Sequence, residues 1–355
     1  MGDQSERNRE PWADFVRVVA IFSVVWLHSA APWVYRYGQV SGFNWQIANI
    51  ADSVVRVSVP LFFMLTGYLL LNKPVTLGFY FRRRLSRILI PWIAWSFVYL
   101  AYGTFHDGYS MGIVGALRAF VNGDIYYHLW FLYTLIGLYL SIPIISWLTG
   151  ADRQKRSLYF LVLWFVAASL FPFLKAAASY ATQTKVQSAF DLSMFAGYSG
   201  YLVAGALMGA SKISRSRLAL FLGGYGLAVV FTIVATTLAT GRSQSFQVYF
   251  YGYATPNVVV AAVAAFAFLK GLGTAVCRNP RVSYVFERIS HTTLGIYLIH
   301  PVALNLIYDG KLGSFLASAS KNSAVSIPLV SVIAFFLSYV AGEIILRVPV
   351  VRRIV

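Results

Sequence analysis

Arg17 and His28 are the two residues of the first hydrophobic stretch whose side chains can carry chemistry. They lie eleven residues apart in DFVRVVAIFSVVWLH. Eleven residues make three helical turns, so both side chains face the same way, roughly 16 Å apart along the axis. A cation or imidazole inside a bilayer costs on the order of 2.5 kcal/mol or more and usually lines a cavity or a site. The spacing therefore predicts two polar groups inside the protein at different membrane depths, which suits chemistry that connects the two sides of a membrane.

Both residues also have a purely structural interpretation. Asp14 lies three residues before Arg17 and can pair with it near the membrane surface. His28 can simply hydrogen-bond a neighbouring backbone group. Function is favoured for His28, because an imidazole takes up a proton near neutral pH and is rare inside a membrane.

Two further groups of basic residues and a second histidine extend this pattern. Arg56 is predicted either to line an outward-facing pocket for a polar acceptor or to reach the outer headgroups. In FRRRLSR, Arg84 and Arg87 share one helix face and can bind phosphates, although a basic run also anchors a chain at the cytoplasmic surface. His300 is predicted at a depth similar to that of His28, and Pro301 after it frees a backbone carbonyl for hydrogen bonding.

Membrane-spanning helices must position these side chains. The 355 residues are 58% hydrophobic and only 12% charged, about half the charged fraction of a soluble domain. We expect an all-α, polytopic integral membrane protein with a single membrane domain over residues 1–355. Stretches of about 20 apolar residues predict about ten transmembrane helices. They lie near 13–34, 52–72, 89–106, 129–149, 157–174, 191–210, 218–239, 252–271, 290–309 and 324–346.

The basic charge indicates the orientation of these spans. Alternate hydrophilic segments, starting with the N-terminal tail, hold 19 of the 29 lysines and arginines, whereas the intervening set holds seven. The positive-inside rule then places both termini in the cytoplasm. The net charge of +17 is thus a topology signal rather than evidence for nucleic acid. Cys277, the single cysteine, excludes an internal disulfide, and the five histidines show no metal-ligand spacing, so no metal site is predicted. The oligomeric state is not readable from the sequence.

Several short motifs, taken in order, resemble the acyltransferase 3 family of membrane acyltransferases. VPLFFMLTGYL resembles the family's second helix, with Thr66 where relatives often have serine. The stretch WQIANIADSVVRVSVPLFFMLTGYLL is most similar to the enterobacterial common antigen O-acetyltransferase subgroup. The other matching positions are Asp14, Arg17 and His28, then Arg84, Arg87 and Pro91, and finally Ser290, Tyr297, Leu298, His300 and Pro301.

This resemblance implies transfer of an acetyl group from cytoplasmic acetyl-CoA to a sugar hydroxyl of an extracytoplasmic or lipid-linked glycan, in a bacterial cytoplasmic (inner) membrane. His28 would act as general base or as a transient acyl carrier. The residues expected to assist it are Arg17, Thr66 and His300. Those expected to hold the phosphates of acetyl-CoA are Arg84, Arg87, Arg17 and Arg83. Those expected to meet the acceptor at the outer side are Arg56, Tyr133, Trp130 and His128.

Other functions also fit the composition. A transporter or flippase of lipid-linked sugars would line its pathway with the same interior charges, and a non-catalytic scaffold for polysaccharide assembly would tolerate loss of His28. For His128 and Trp130 an aromatic belt at the outer surface is the alternative. Within the enzyme class, a succinyl-transferring member of the same family is also compatible with the sequence.

Overall fold

The chain is all-α, as predicted. This computed structural model describes residues 10–71, 77–106, 108, 112–150, 153–182, 197–311 and 322–355, and it contains no β-strand in those ranges. The side chains of residues 79, 80, 83 and 180–182 lie outside the description. The predicted span 191–210 therefore has its first six residues outside the described ranges.

The longer helices are numbered in chain order. The first seven are α1 (Pro11–Val34), α2 (Gly42–Val55), α3 (Ser58–Leu71), α4 (Ser86–His106), α5 (Ile113–Asn122), α6 (Trp130–Ile145) and α7 (Gln154–Trp164). The others are α8 (Phe171–Thr182), α9 (Ser199–Ala210), α10 (Arg215–Ser243), α11 (Pro256–Val276), α12 (Pro280–His291), α13 (Thr293–Tyr308) and α14 (Ser323–Arg347). A π-helical segment joins α7 to α8, and another, Phe81–Leu85, precedes α4.

The helices fit a polytopic membrane protein. Eight helical stretches in the described residues are long and apolar enough to cross a membrane, and α5, α9 and α13 are shorter apolar helices. Many large apolar side chains on the outside of the bundle are exposed, as a hydrocarbon solvent permits. Examples are Phe97, Trp147, Leu220 and Phe336.

The second span begins ten residues earlier than the predicted residue 52. Ser41 caps α2 by accepting a hydrogen bond from the backbone amide of Asn44 (3.3 Å). The helical stretch Gly42–Leu71 is interrupted only at Arg56 and Val57, between α2 and α3. The predicted outer loop 35–51 is therefore partly helical.

The first helix lies at the centre of the bundle. It contacts α2, α3, α11, α12, α13 and α14, and residues along its whole length are buried, including Val16, Ile21 and Val25. Because α1 is surrounded by other helices, the side chains of Arg17 and His28 face protein.

Helices α3 and α9 approach each other more closely than side chains would allow. A Cβ at Gly67 would stand 1.9 Å from the carbonyl oxygen of Leu202, and one at Gly205 would stand 1.9 Å from that of Met64. Small residues permit such backbone contact in membrane proteins. Gly67 and Gly205 therefore allow the two helix backbones to touch.

Candidate active site

His28 on α1 and His300 on α13 form a direct pair. Nδ1 of His28 lies 2.8 Å from Nε2 of His300. The two rings are stacked, with centroids 4.9 Å apart and an angle of 16° between their planes. His300 is fully buried. The structure thus brings to one point two residues separated by 272 positions, which the sequence predicted at a similar depth.

The hydrogen bonds of His300 decide which nitrogen of His28 carries the hydrogen. Nδ1 of His300 lies 2.7 Å from the carbonyl oxygen of Tyr297 and 3.3 Å from that of Ile296. A carbonyl only accepts, so Nδ1 of neutral His300 is protonated and its Nε2 accepts from Nδ1–H of His28. The remaining nitrogen, Nε2 of His28, then carries a lone pair and has no hydrogen-bond partner among the described residues.

Pro301 leaves free the Tyr297 carbonyl that fixes this arrangement. In a helix, the amide of residue 301 would bond to the carbonyl of Tyr297, four positions earlier. Proline has no amide hydrogen, so that carbonyl is left for Nδ1–H of His300. The sequence His-Pro thereby orients His300, and His300 orients His28.

A small cavity, which we name the His28 pocket, lies beside the pair. Its volume is about 20 Å³. Tyr127 meets the His28 ring edge-on at 5.1 Å and is half exposed. The pocket is lined by Val24, Leu27, His28, Ser58, Val59, His128, Trp130, Phe131, Tyr253 and Tyr297.

Arg17 is held by residues of two helices at the other end of α1. Its Nη1 donates to Oδ1 of Asp14 (3.1 Å) and to Oγ of Ser290 on α12 (2.6 Å). Ser290 in turn donates to the same carboxylate oxygen (2.6 Å). The predicted pairing of Asp14 with Arg17 is confirmed, and the contact to α12 fixes the guanidinium at the edge of a cavity.

That cavity, the Arg17 cavity, has a volume of about 340 Å³. Phe131 and Tyr297 line both it and the His28 pocket. The two spaces therefore adjoin, and these aromatic side chains form part of the wall of each. Its other lining residues are Arg17, Phe62, Thr66, Ile88, Leu132, Leu135, Tyr139, Ser290, His291, Thr293 and Leu294.

Arg84 and Arg87 lie near the Arg17 cavity but do not line it. The Tyr139 hydroxyl, which borders this cavity, is within electrostatic range of the guanidinium groups of Arg84, Arg17 and Arg87. Arg84 is half-buried and Arg87 is exposed. The side chain of Arg83 lies outside the described residues, so its predicted role stays a prediction.

The other predicted site residues are divided between the two spaces and the surrounding protein. Thr66 borders the Arg17 cavity, and its hydroxyl donates to the carbonyl of Phe62 (2.8 Å). Trp130 borders the His28 pocket and stacks on Tyr253, with ring centroids 5.7 Å apart. Tyr133 borders neither of these two spaces. Its hydroxyl donates to the carbonyl of Phe120 (2.6 Å).

His128 does not lie at the outer surface, where it was predicted. It is 1% exposed and packs beside His300, with ring centroids 5.5 Å apart. The prediction failed because the residues before α6 fold inward: the Tyr297 hydroxyl donates to the backbone carbonyl of His128 and ties it to α13.

Arg56 is neither a free interfacial cation nor a lining residue of the His28 pocket. It pairs with both carboxylate oxygens of Asp52 one turn earlier, the Nη2–Oδ2 distance being 2.8 Å. Its guanidinium carbon lies 4.1 Å from the ring centre of Tyr251 and 6.0 Å from that of Tyr253. Asp52 was missed in the sequence, although its i, i+4 spacing from Arg56 is a recognisable pairing signal.

The sequence of this chain matches a known family of proteins. The model of the acyltransferase domain of the acyltransferase 3 family matches residues 10–343, nearly the whole chain. The chain belongs to the acyltransferase 3 family. No curated protein and no solved structure matches it.

Membership makes this chain a multi-pass membrane acyltransferase. Six of the residues that carried the resemblance in the sequence meet in space as two groups. One is Asp14, Arg17 and Ser290, and the other is His28, His300 and the Tyr297 carbonyl.

Two other features of this acyltransferase lie away from its histidine pair. Cys277 sits at the end of α11 with Sγ 3.6 Å from the carbonyl of Pro11, and burial raises the pKa of its thiol, which makes it a poor acyl carrier. Glu343 on α14 pairs with Arg288 on α12 (3.0 Å). The described residues contain no group of three or more side chains suited to hold a metal ion.

Proposed function

We propose that this protein transfers an acetyl group from cytoplasmic acetyl-CoA to a sugar hydroxyl of an extracytoplasmic or lipid-linked glycan. The observation that carries the proposal is the chain of contacts Tyr297 carbonyl, His300, His28. It leaves the Nε2 lone pair of His28 available beside a pocket that adjoins the Arg17 cavity.

The donor is proposed to enter through the Arg17 cavity. Arg84, Arg87 and Arg17, with Arg83, would bind the phosphates of coenzyme A, since guanidinium groups suit phosphate oxygens. The pantetheine arm would then occupy the cavity past Thr66 and Tyr139. An extended arm can cover the roughly 16 Å that separate Arg17 from His28 along α1.

In the proposed reaction, Nε2 of His28 removes the proton of the acceptor hydroxyl. The hydroxyl oxygen forms a bond to the acyl carbon, and the carbon–sulfur bond breaks. The proton on His28 then passes to the leaving thiolate, which gives coenzyme A and the acyl ester. His300 stabilises the imidazolium by accepting from Nδ1–H throughout. General-base catalysis of this kind contributes about 10²–10⁴-fold.

An acetyl donor fits the His28 pocket better than a succinyl donor. The pocket offers about 20 Å³, and its described lining residues include no lysine or arginine. A succinyl group would place a carboxylate there without a cation among the lining residues, which is costly in a buried site. Arg56, which the sequence suggested as a cation for an outward-facing pocket, is already paired with Asp52.

The acceptor is proposed to approach past Tyr127 and the Trp130–Tyr253 stack. Aromatic faces at the edge of the pocket suit the apolar face of a sugar ring, and the resemblance to the enterobacterial common antigen O-acetyltransferases points to a glycan of the bacterial cell envelope. That acceptor would place the enzyme in the bacterial inner membrane. Arg56, Tyr133 and His128 do not face this approach with a free polar group at the surface.

The test is transfer of radiolabelled acetyl from acetyl-CoA to crude lipid-linked glycan by the protein purified in nanodiscs. We expect His28→Ala to lower kcat about 10²–10⁴-fold and His300→Phe to lower it about 10-fold or more, with coenzyme A affinity unchanged. His106→Gln serves as the matched control, because His106 pairs with Asp309 outside the site.

Each other outcome rejects a stated part of the proposal. Full transfer by His28→Ala would reject His28 as the base. Folded wild-type protein that binds no acetyl-CoA would reject the donor, and glycan translocation without acetyl-CoA would favour a flippase. Label trapped on His28 after an acid quench would replace the general-base route with an acyl-histidine route.

A further inference from the structure

The His28 pocket contains two polar side chains that the proposed mechanism leaves unused. Ser58, the first residue of α3, is fully buried, and His128 is 1% exposed. The hydroxyl oxygen of Ser58 and both ring nitrogens of His128 have no hydrogen-bond partner among the described residues. Buried polar groups nearly always have a partner, so both groups point to a ligand atom that completes them.

Two neighbouring hydroxyl groups donate their hydrogens to backbone carbonyls and not to His128. The Tyr297 hydroxyl donates to the carbonyl of His128 itself, and the Tyr99 hydroxyl donates to that of Leu298 (2.6 Å). Tyr99 meets the His128 ring edge-on, with centroids 4.8 Å apart. These contacts fix the imidazole in place without satisfying its nitrogens.

The pocket has room for one small polar group. Its volume of about 20 Å³ exceeds the 10–15 Å³ that a single water-sized probe needs. Ser58, His128 and His28 all border it. A serine hydroxyl and a neutral imidazole each offer one hydrogen to donate, and a carbonyl oxygen accepts two.

We infer that the Ser58 hydroxyl and a ring N–H of His128 form the oxyanion hole for the thioester carbonyl of the acyl donor. The inference rests on the proposed function and adds two catalytic residues to it. As the acceptor oxygen bonds to the acyl carbon, the carbonyl π electrons move onto its oxygen, and the two donors stabilise that negative charge. When the carbon–sulfur bond breaks, the carbonyl re-forms and its two hydrogen bonds weaken again. Neither residue gains or loses a proton in the cycle.

The position of the pocket fits this assignment. Phe131 and Tyr297 line both this pocket and the Arg17 cavity, so a thioester at the end of a pantetheine arm in that cavity would lie next to the pocket. His28 stands on the same pocket, next to the carbon that the acceptor must attack. Hydrogen-bond donors that meet negative charge only in the transition state raise kcat and do not raise the affinity for acetyl-CoA.

The experiment compares acetyl-transfer kinetics of wild type with Ser58→Ala, His128→Phe, His128→Asn and the double variant Ser58→Ala/His128→Phe in nanodiscs. We expect each single loss of a donor to lower kcat about 10²-fold, with KM for acetyl-CoA changed less than about two-fold. His128→Asn, which restores a side-chain N–H, is expected to recover at least part of the lost kcat.

A control variant and a binding measurement separate this role from a structural one. Ser331→Ala removes a buried hydroxyl that is already bonded to the Ile327 carbonyl, and it should leave kcat unchanged. Each variant is required to be monodisperse. Each is also expected to bind coenzyme A with the wild-type Kd, because free coenzyme A has no acyl carbonyl that Ser58 or His128 could contact.

The outcomes distinguish the two proposals. Wild-type kcat in folded His128→Phe or Ser58→Ala, with His28→Ala inactive, would overturn the oxyanion hole and leave the proposed function standing. Equal loss in His128→Phe and His128→Asn together with a raised KM would also overturn it, in favour of packing alone. Folded wild type that neither binds nor uses acetyl-CoA would reject both.

Discussion

At the scale of single residues, the pair of histidines is organised like a base and its orienting partner. In serine hydrolases a carboxylate holds the catalytic imidazole in the correct tautomer. Here a backbone carbonyl does so through a second imidazole: Tyr297 orients His300, and His300 orients His28. A neutral partner adds no charge to a low-dielectric interior, where an unpaired carboxylate would be costly.

The size of the His28 pocket gives a first prediction about donor choice. Val59 lines the pocket and is 6% exposed. Val59→Ala removes two methyl groups, so we expect kcat/KM for propionyl-CoA to rise about 10-fold relative to acetyl-CoA, the range that one methylene commands in a fitted pocket. Competition between the two donors measures this ratio. Val260→Ala, at a half-exposed position on α11, is the control, and an unchanged ratio in Val59→Ala would show that another surface limits the acyl group.

The buried pair of Asp52 and Arg56 gives a second prediction. Their side chains are 0% and 12% exposed. Asp52→Asn leaves the guanidinium buried without its counter-ion, and we expect the free energy of unfolding to fall by about 3–5 kcal/mol. Replacing both residues, in Asp52→Leu/Arg56→Met, should restore much of this stability. Thermal unfolding in detergent checks both variants.

An exposed ion pair provides the control for that measurement. The hydrogen bond from His106 lowers the pKa of Asp309, so this carboxyl is ionised at neutral pH. Both side chains remain partly exposed, and surface pairs contribute little. Asp309→Asn should therefore leave the unfolding temperature nearly unchanged. A similar shift in Asp309→Asn and Asp52→Asn would show that burial does not decide the cost.

Residue types and spacing predicted part of this site and missed the rest for identifiable reasons. Arg17 and His28 were predictable because a helix repeats its face every eleven residues, and His300 followed from the length of its span. Ser58 gave no signal, because a serine in an apolar helix is ordinary. His128 was misplaced, because nothing in its local sequence shows that the chain turns inward before α6.

At the scale of elements, the pair α2 and α3 shows where apolar length alone misleads. Residues 35–51 are too polar to count as a span, yet α2 begins at Gly42. The missed signal is a buried stripe at helical spacing, formed by Trp45, Ala48, Asn49 and Asp52. The stripe packs against α1, α10 and α14, so these helices, rather than lipid, stabilise α2.

The contact of α3 with α9 gives a third prediction. In Gly67→Ala the new methyl group would meet the backbone of Leu202, which cannot move aside as a side chain can. We expect the free energy of unfolding to fall by more than about 2 kcal/mol and the yield of monodisperse protein to drop. Gly223→Ala on α10 adds the same methyl group with nothing within 4 Å and should behave as wild type. Equal yields and unfolding temperatures for the two variants would show that α3 and α9 can separate at no cost.

At the scale of the whole molecule, the arginines and the two cavities follow one another along α1. Arg84 and Arg87 lie, like Arg17, within electrostatic range of Tyr139, whereas the histidine pair lies toward the other end of α1. The basic segments that set the predicted orientation are therefore also those proposed to bind the donor. A cytoplasmic coenzyme A can use them only if the chain has the predicted orientation.

That orientation is the last prediction, and the single cysteine makes it simple to test. In a Cys277→Ser background, Gln39→Cys and Lys212→Cys place one thiol at each end of the bundle, both at exposed positions. We expect a membrane-impermeant maleimide to label Gln39→Cys in intact spheroplasts and Lys212→Cys only after the membrane is opened, because basic segments stay in the cytoplasm. The reverse pattern would place Arg17, Arg84 and Arg87 outside the cell, where acetyl-CoA is absent. The proposed donor would then be wrong, however well its phosphates suit these arginines.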